Sequence, residues 1–311
     1  MTFSKRLWFL ALSVFTIQAY ASSPVKVVTS TTDLAWAVKE IGGAHVEVQS
    51  LLKGTENPHF VDAIPEFIRL VSEAQAVVIV GLDLEIGWMP KVLTRSGNAQ
   101  VQPGGKGYCE AGRAVHVLEK PTGDVDRSMG DVHPSGNPHF WLSPKAFAQA
   151  AGPIAQTLIA VDPAHTADYQ VGARRFTELM EEIRKKNAAK LHSLIASISG
   201  PVLMEYHKEF AYFLETYGLR SFGSVEEKPG VAPSAGRLAE VALAAKGAGV
   251  RFVLAGETAP KKTLEKFTEL SAMPVAVVPM SVQPHAKVKD YPAFQEYLVD
   301  TVAKQLGSRT L

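Results

Sequence analysis

The chain has 311 residues, of which 46% are hydrophobic and 20% charged, and its formal net charge is +1. This length and apolar fraction are ample for a large core, in one large domain or two of ordinary size. The near-neutral charge offers no attraction for nucleic acid or for an anionic membrane surface, so neither is expected as a partner.

The first residues have the pattern of a secretory signal peptide. Lys5 and Arg6 precede an apolar run at residues 7–17, and a small-residue cleavage site of the A-x-A kind follows at residues 19–21. The run is too short to span a bilayer as a mature helix, although a retained membrane anchor is the alternative. We therefore expect residues 1–21 to be removed and the mature protein to be soluble in the periplasm.

Cysteine usage narrows the chemistry further. Cys109 is the single cysteine of the chain. An intrachain disulfide and a thiolate-rich metal site are therefore not expected. Since no cysteine follows the apolar run near the start, we also expect no lipid anchor at the mature N-terminus.

Short apolar runs alternate with helical patterns along the mature chain, and residues suited to helix N-termini, Asp33, Ser143 and Ser234, precede three of the helical patterns. Apolar strands that are separated by helices indicate parallel sheets covered on both faces, so the predicted fold class is α/β. The predicted strands are VKVVTST, VEVQSLL and AVVIVGL in the first half, and PVLMEY, RFVLAGE and PVAVVPM in the second.

The middle of the chain differs from both halves. Residues 163–197 have a helix-forming composition with mixed charges, and their larger apolar residues fall near one face. A single helix of this length would be about 45 Å long and would suit a rigid connector, whereas two helices with a break near Asn187 are the alternative. The pattern predicts an N-terminal lobe at residues 22–162, a connecting helix, and a C-terminal lobe at residues 198–311.

The tetrapeptide NPHF occurs twice and places His59 and His139 in identical local settings. His59 follows a predicted strand, and His139 precedes the helix that Ser143 should cap. His207 follows the strand PVLMEY, and Glu257 ends the strand RFVLAGE. Ligands of open parallel sheets bind beyond the carboxyl ends of the strands. Three imidazoles and a carboxylate that converge there would suit a tetrahedral zinc site.

Each of these residues has a plainer interpretation, because a histidine in a polar loop is usually only solvated. His133 is expected at most to support a ligand from behind. Glu56, beside the first NPHF, could be a ligand, but we expect a solvated loop carboxylate. The other histidines are expected on the surface, and they are His45, His116, His165, His192 and His285. The sequence contains no GxGxxG, GxxxxGK[ST] or GxSxG motif, which argues against common nucleotide-binding and hydrolase sites.

Several motifs together resemble one family along essentially the whole mature chain. They are VVTSTTDLAWAVKEIGG, NPHFVDAIPEFIRLVSEAQAVVIVGLDLEIGW, DRSMGDVHPSGNPHFWLSP, YHKEFAYFLETYGL and GSVEEKPGVAPSAGRLAEV. With these motifs the chain resembles the cluster A-I solute-binding proteins of zinc and manganese ABC transporters, a TroA-like periplasmic metal-binding family. The resemblance implies two α/β lobes joined by one long helix, with the metal in the cleft between the lobes.

The resemblance also implies site residues. The three histidine ligand positions of the family fall on His59, His139 and His207, and histidine at the third position favours zinc over manganese. Many members carry an acidic residue after the last strand of the second lobe, but here that region reads VVPMSVQPHAK. Glu257 is the predicted fourth ligand, with Asp290, His285 or a water as alternatives.

The predicted function is capture of a divalent metal, zinc or else manganese, and its delivery as cargo to the membrane permease of an ABC transporter. A metallochaperone is a further candidate partner, and the protein is expected to be a monomer and not an enzyme. A zinc hydrolase with three histidines and Glu257 as general base is the alternative, since an open fourth position is what a hydrolytic zinc needs. A metal-independent adhesin is a third hypothesis.

Overall fold

The computed structural model describes residues 23–123, 130, 132–196, 198, 200, 202–228 and 230–307. Within that part of the chain the strands form two parallel sheets of four strands each, with helices on both faces. This confirms the predicted α/β class. The predicted signal peptide lies outside the described residues, and the predicted limits of the lobes stay a prediction.

The sheet of the first lobe has the strand order β2-β1-β3-β4. Its central strand β3 is buried along its whole length, whereas the edge strand β2 alternates between half-buried and exposed residues. This contrast is typical of a parallel sheet covered by helices. The elements of this lobe are β1 (Val25–Thr29), α1 (Thr32–Gly42), β2 (Val46–Ser50), α2 (Pro65–Glu73), β3 (Ala76–Ile79), α3 (Met89–Ser96), β4 (Tyr108–Glu110), α4 (Pro144–Phe147) and α5 (Ala151–Val161).

The long connecting helix is confirmed as one element, α6, over Thr166–Ile195. Asn187, where a break was the alternative, is buried within the helix and does not interrupt it. Phe176, Met180 and Leu191 lie on the buried face, which packs against α1 and α5 of the first lobe. Tertiary packing of this apolar face supplies the stability that helix propensity alone would not give.

The second lobe repeats the topology of the first, because its sheet has the order β6-β5-β7-β8. The loops that follow the carboxyl ends of the strands are therefore equivalent in the two lobes. Its elements are β5 (Leu203–Glu205), α7 (Ala211–Tyr217), β6 (Ser221–Ser224), α8 (Ala235–Gly247), β7 (Phe252–Gly256), α9 (Lys261–Ser271), β8 (Val275–Val278) and α10 (Tyr291–Gly307).

The last helix, α10, ties the two lobes together. It packs along α6, and the ring of Tyr291 stacks on Trp36 of α1 with ring centroids 5.3 Å apart. The Tyr291 hydroxyl donates to the carbonyl of Trp141 at 2.7 Å, and the Trp141 indole donates to the carbonyl of Met280 at 2.8 Å. One of the apolar clusters among the described residues therefore runs through both lobes.

One predicted helix cap is wrong. Helix α1 is capped by Thr31, whose hydroxyl accepts the N–H of Leu34, and not by Asp33. Asp33 instead lies in the first turn, is fully buried, and accepts the N–H of Val282 of the second lobe at 3.0 Å. Thr31 satisfies the helix end, and the Asp33 carboxylate makes a contact between the lobes. Ser143 and Ser234 cap their helices as predicted.

Candidate metal centre

The first NPHF segment lies between β2 and α2, at the carboxyl end of the first sheet. Asn57 accepts two hydrogen bonds from His59, one from its backbone N–H at 3.0 Å and one from Nδ1 at 2.8 Å. The segment is held further by Trp88, whose indole donates to the carbonyl of Pro58 at 2.9 Å. With Nδ1 engaged in donation, the second ring nitrogen, Nε2, carries the lone pair that can bind a metal.

The second NPHF segment repeats this arrangement just before α4. Asn137 accepts the backbone N–H of His139 at 3.0 Å and its Nδ1 at 2.9 Å. The amide of Asn137 donates in turn to a carboxylate oxygen of Glu119 at 2.9 Å and to the carbonyl of Lys208 at 3.1 Å. Each copy of the tetrapeptide therefore fixes the tautomer and the ring direction of its histidine.

The third histidine, His207, follows β5 of the second lobe. A carboxylate holds this ring: Glu226 accepts from Nδ1 of His207 at 2.8 Å. The same carboxylate oxygen accepts the N–H of Gly230 at 3.0 Å, and Glu226 is almost fully buried. A carboxylate behind a histidine fixes its orientation and makes its other nitrogen a better metal ligand.

The structure brings these three predicted histidines together. One ring nitrogen each from His59, His139 and His207 lies within 4.8 Å of the others, and among the described residues this is the group suited to a metal ion. Nε2 of His139 is buried and has no hydrogen-bond partner among the described residues. A buried polar atom without a partner is costly, and a metal ion would relieve that cost.

The electrostatics of the group also suit metal binding. Burial, followed by the neighbouring imidazoles, holds the pKa of His59 and of His139 well below the usual value. Both rings are therefore neutral near pH 7, which is the form that binds a metal. Neutral nitrogen ligands at a buried site are typical of zinc and of the later transition metals.

Glu257, the predicted fourth ligand, is not part of this group. It directly follows β7, one residue beyond the end of the strand, and its side chain is exposed and accepts a short hydrogen bond from the amide of Gln283. The same amide also donates to the carbonyl of Gly54 in the first lobe at 3.4 Å. The structure thus directs Glu257 toward Gln283 and the Gly54 loop.

The other candidates for the fourth position have separate roles. Asp290 accepts the N–H of Ala293 at the start of α10, and His285 is exposed. Glu56 is exposed and accepts backbone N–H groups of its own loop, from Lys53 and Thr55.

His133 lies much closer to the histidine group than its sequence position indicated. Its Nε2 lies 3.1 Å from Nε2 of His59, the nitrogen left available for a metal. His116, His192 and His285 are exposed as predicted. His45 and His165 are half-buried instead and stack on each other at 3.8 Å, because Asp168 and Asp162 pair with them.

A cavity of about 610 Å³ opens beside the histidines, and both lobes line it. Its walls include His133 and His139 from the first lobe, and His207 and Glu226 from the second. The histidine group therefore sits in an interlobe cleft to which an ion has access.

Sequence reasoning missed the partners that orient the ligands. Asn57 and Asn137 are visible in the repeated tetrapeptide, so the repeat of Asn as well as His was a usable signal. Glu226 lies within the motif GSVEEKPG but carries no local signal, because its role depends on the contact between β5 and the segment after β6.

Comparison with known proteins gives a consistent set of relatives. A family model described as zinc-uptake complex component A, periplasmic, matches residues 27–305. The manganese ABC transporter substrate-binding lipoprotein PsaA of Streptococcus anginosus is 26% identical over 223 residues, which is 68% of each chain. The high-affinity zinc uptake system protein ZnuA of Brucella abortus is 26% identical over 169 residues, 54% of this chain and 48% of that protein.

Solved structures share the fold. The crystal structure of ZnuA has a TM-score of 0.72 and 22% identity, and the match covers 92% of this chain and 100% of that one. The solute-binding protein FpvC of Pseudomonas aeruginosa, in complex with Mn²⁺, has a TM-score of 0.76 and 22% identity, with 91% and 99% of the two chains covered. At these identities the likeness is evidence for the fold.

Together the fold and the relatives define a class, the substrate-binding proteins of metal ABC transporters. The match of the family model spans most of the chain. The chain belongs to the family of the periplasmic component A of zinc-uptake complexes. This class consists of binding proteins, and the alternative of a zinc hydrolase finds no support. No helix of the described residues has the length and apolar character needed to cross a membrane.

Proposed function

We propose that this protein captures a divalent transition metal, with zinc as its preferred cargo, in the cleft between its lobes and delivers it to an ABC permease. The observation that carries this proposal is the buried Nε2 of His139, which lacks a hydrogen-bond partner among the described residues and faces His59 and His207. The cluster draws on both lobes, as a cargo site that opens and closes requires.

His59, His139 and His207 are the proposed ligands. Nδ1 of each ring is held by a hydrogen bond, to Asn57, Asn137 and Glu226 respectively. Nε2 of each ring is therefore the nitrogen that can bind the ion. This arrangement supports tight binding because the rings are oriented before the ion arrives. Glu257, the fourth ligand predicted from the sequence, would have to leave Gln283 to reach an ion, so we do not include it among the proposed ligands.

The choice of zinc over manganese follows from ligand chemistry. Nitrogen ligands bind Zn²⁺ more tightly than Mn²⁺ in the ordinary affinity order, whereas Mn²⁺ is better suited by carboxylate and carbonyl oxygens. The relatives include proteins named for zinc and for manganese, so the ligand set must decide. Three imidazoles without a carboxylate in the group favour zinc.

The remaining parts of the proposal concern the cell. We propose a periplasmic location after removal of residues 1–21, and a membrane permease as the partner that receives the ion. A metallochaperone that loads the site is a further candidate partner. These parts rest on the sequence pattern at the N-terminus and on the family described as periplasmic.

The decisive experiment is a calorimetric titration of metal-stripped protein with Zn²⁺, together with the single variants His59→Ala, His139→Ala and His207→Ala. Each variant should lose roughly a hundredfold or more in affinity, since structural zinc binding of about 10–16 kcal/mol is shared among about four ligands. The exposed His116→Ala serves as the control and should bind like the parent. Parent-like affinity in any of the three ligand variants would remove that residue from the site.

A further inference from the structure

His133 lies beside the three-histidine group and contacts one of its members. Its Nε2 is 3.1 Å from Nε2 of His59, and the two ring centroids are 5.1 Å apart. The ring of His133 also lies near His139, with centroids 6.4 Å apart. Since Asn57 engages Nδ1 of His59, the nitrogen that meets His133 is the one available for a metal.

The short distance between these nitrogens matches shared coordination. Two imidazoles bound to one tetrahedral zinc at about 2.0–2.1 Å have nitrogens about 3.3–3.4 Å apart. The observed 3.1 Å between His59 and His133 is close to that separation. Without an ion, a hydrogen bond from Nε2–H of His133 to the Nε2 lone pair of His59 accounts for this approach. With a shared metal ion, that proton would sit on Nδ1 of His133, and both Nε2 atoms would face the ion. Ion binding would also have to draw His133 closer to His139 and His207.

The backbone around His133 is a fixed turn attached to the first lobe. The N–H of Gly136 donates to the carbonyl of His133 at 3.0 Å, and the N–H of Ser135 donates to the Asp83 carboxylate at 2.9 Å. Gly136 has a φ of +103°, and a Cβ at that position would meet Val117 at 2.2 Å. The turn therefore requires glycine, and it holds His133 beside His59 at the edge of the cavity.

The charges around the cluster are consistent with a ligand set of neutral imidazoles. Carboxylates lie behind two of the rings: Glu226 is one hydrogen bond from His207, and Glu119 is two hydrogen bonds from His139, through Asn137. Glu209 is buried nearby and accepts the N–H of Gly256 at 3.3 Å. Such outer carboxylates compensate the ion charge without contacting the metal.

We propose that His133 is the fourth ligand, so that four imidazoles hold the metal where a carboxylate was expected. The inference rests on the proposed binding of the ion by His59, His139 and His207. A site of four neutral nitrogens favours Zn²⁺ and disfavours Mn²⁺, because Mn²⁺ is better matched by oxygen ligands. His133 is thus both a ligand and a determinant of metal specificity.

The test compares His133→Ala, His133→Asp and Glu257→Gln with the parent, by competition titration with Zn²⁺ and Mn²⁺. Loss of His133 should weaken Zn²⁺ binding about tenfold to a hundredfold, and the aspartate variant should raise the ratio of Mn²⁺ to Zn²⁺ affinity. Glu257→Gln should leave both affinities unchanged. X-ray absorption of the zinc-loaded proteins should count four imidazoles in the parent and three in His133→Ala.

Two results would overturn the inference. One is an unchanged affinity and imidazole count in His133→Ala, and the other is a loss of affinity in Glu257→Gln that leaves His133→Ala like the parent. Failure of the parent to bind zinc at all would contradict the proposed function itself. The two kinds of failure are therefore distinguishable in one set of titrations.

Discussion

Asn57 accepts both the backbone N–H and Nδ1 of His59, at 3.0 and 2.8 Å. The same pair of bonds recurs between Asn137 and His139. Each asparagine thereby fixes the tautomer and the direction of a ring whose other nitrogen faces the cleft. The tetrapeptide repeats because the same ligand geometry is built twice.

Asn57→Ala should therefore weaken zinc binding about tenfold to a hundredfold, since the His59 ring loses its orienting partner. Asn57→Asp is the matched variant, because an aspartate oxygen can accept the same two hydrogen bonds and should keep most of the affinity. Calorimetric titration of both variants measures the effect. Equal affinity for Asn57→Ala and the parent would show that this hydrogen bond does not support the ligand.

A second prediction concerns the carboxylate behind His207. Glu226→Gln removes a buried negative charge that His207 contacts at 2.8 Å, so zinc affinity should fall by roughly tenfold. The exposed neighbour Glu227→Gln is the control, because its charge is screened by solvent. Zinc titrations at low and at moderate salt distinguish the effects of the two variants. A loss of the same size in both variants would indicate a general charge effect in place of a specific contact.

Much of this arrangement could be predicted from the sequence, because strand-to-helix junctions are local features. His59, His139 and His207 were located by strands that end and helices that begin beside them, and the long helix by its composition. Glu257 directly follows its strand, but a position at the end of a strand does not specify where a long side chain points. The partner of Glu257, Gln283, belongs to a loop that only the folded chain brings near.

His133 was underestimated for a related reason. It lies in a turn whose direction depends on Asp83 and on the positive φ of Gly136. Neither contact follows from a periodic pattern. Similarly, aspartate is a residue type that commonly caps helices, yet the Asp33 carboxylate accepts a hydrogen bond from Val282 of the other lobe.

The buried carboxylate of Asp33 leads to a prediction for stability. Burial raises its pKa to about 7 in the folded protein, from an ordinary value of 3.8. Between these values the folded protein keeps a proton that the unfolded chain has lost. The contribution of Asp33 to the free energy of unfolding therefore falls as pH rises from about 4 to about 7, by at most about 1.4 kcal/mol per pH unit, and levels off above that.

Asp33→Asn removes this titration while retaining an oxygen that can accept the N–H of Val282. The stability of the variant relative to the parent should consequently rise from pH 5 to pH 7 and stay level from pH 7.5 to pH 8.5. Urea unfolding of both metal-stripped proteins across this range measures this difference in stability. Other buried carboxyls contribute equally to both proteins, so their contribution cancels. A difference that is constant with pH would mean that Asp33 does not titrate in this window.

The central claim is that the three-histidine cluster between the lobes binds the cargo ion. The most direct measurement is elemental analysis of the purified protein, followed by titration of the metal-stripped form with Zn²⁺ and Mn²⁺ in competition. We expect one zinc ion per chain, bound in preference to manganese, and loss of that ion when His59, His139 and His207 are all replaced by alanine. Stoichiometric zinc retained by that triple variant with parent-like affinity would contradict the account.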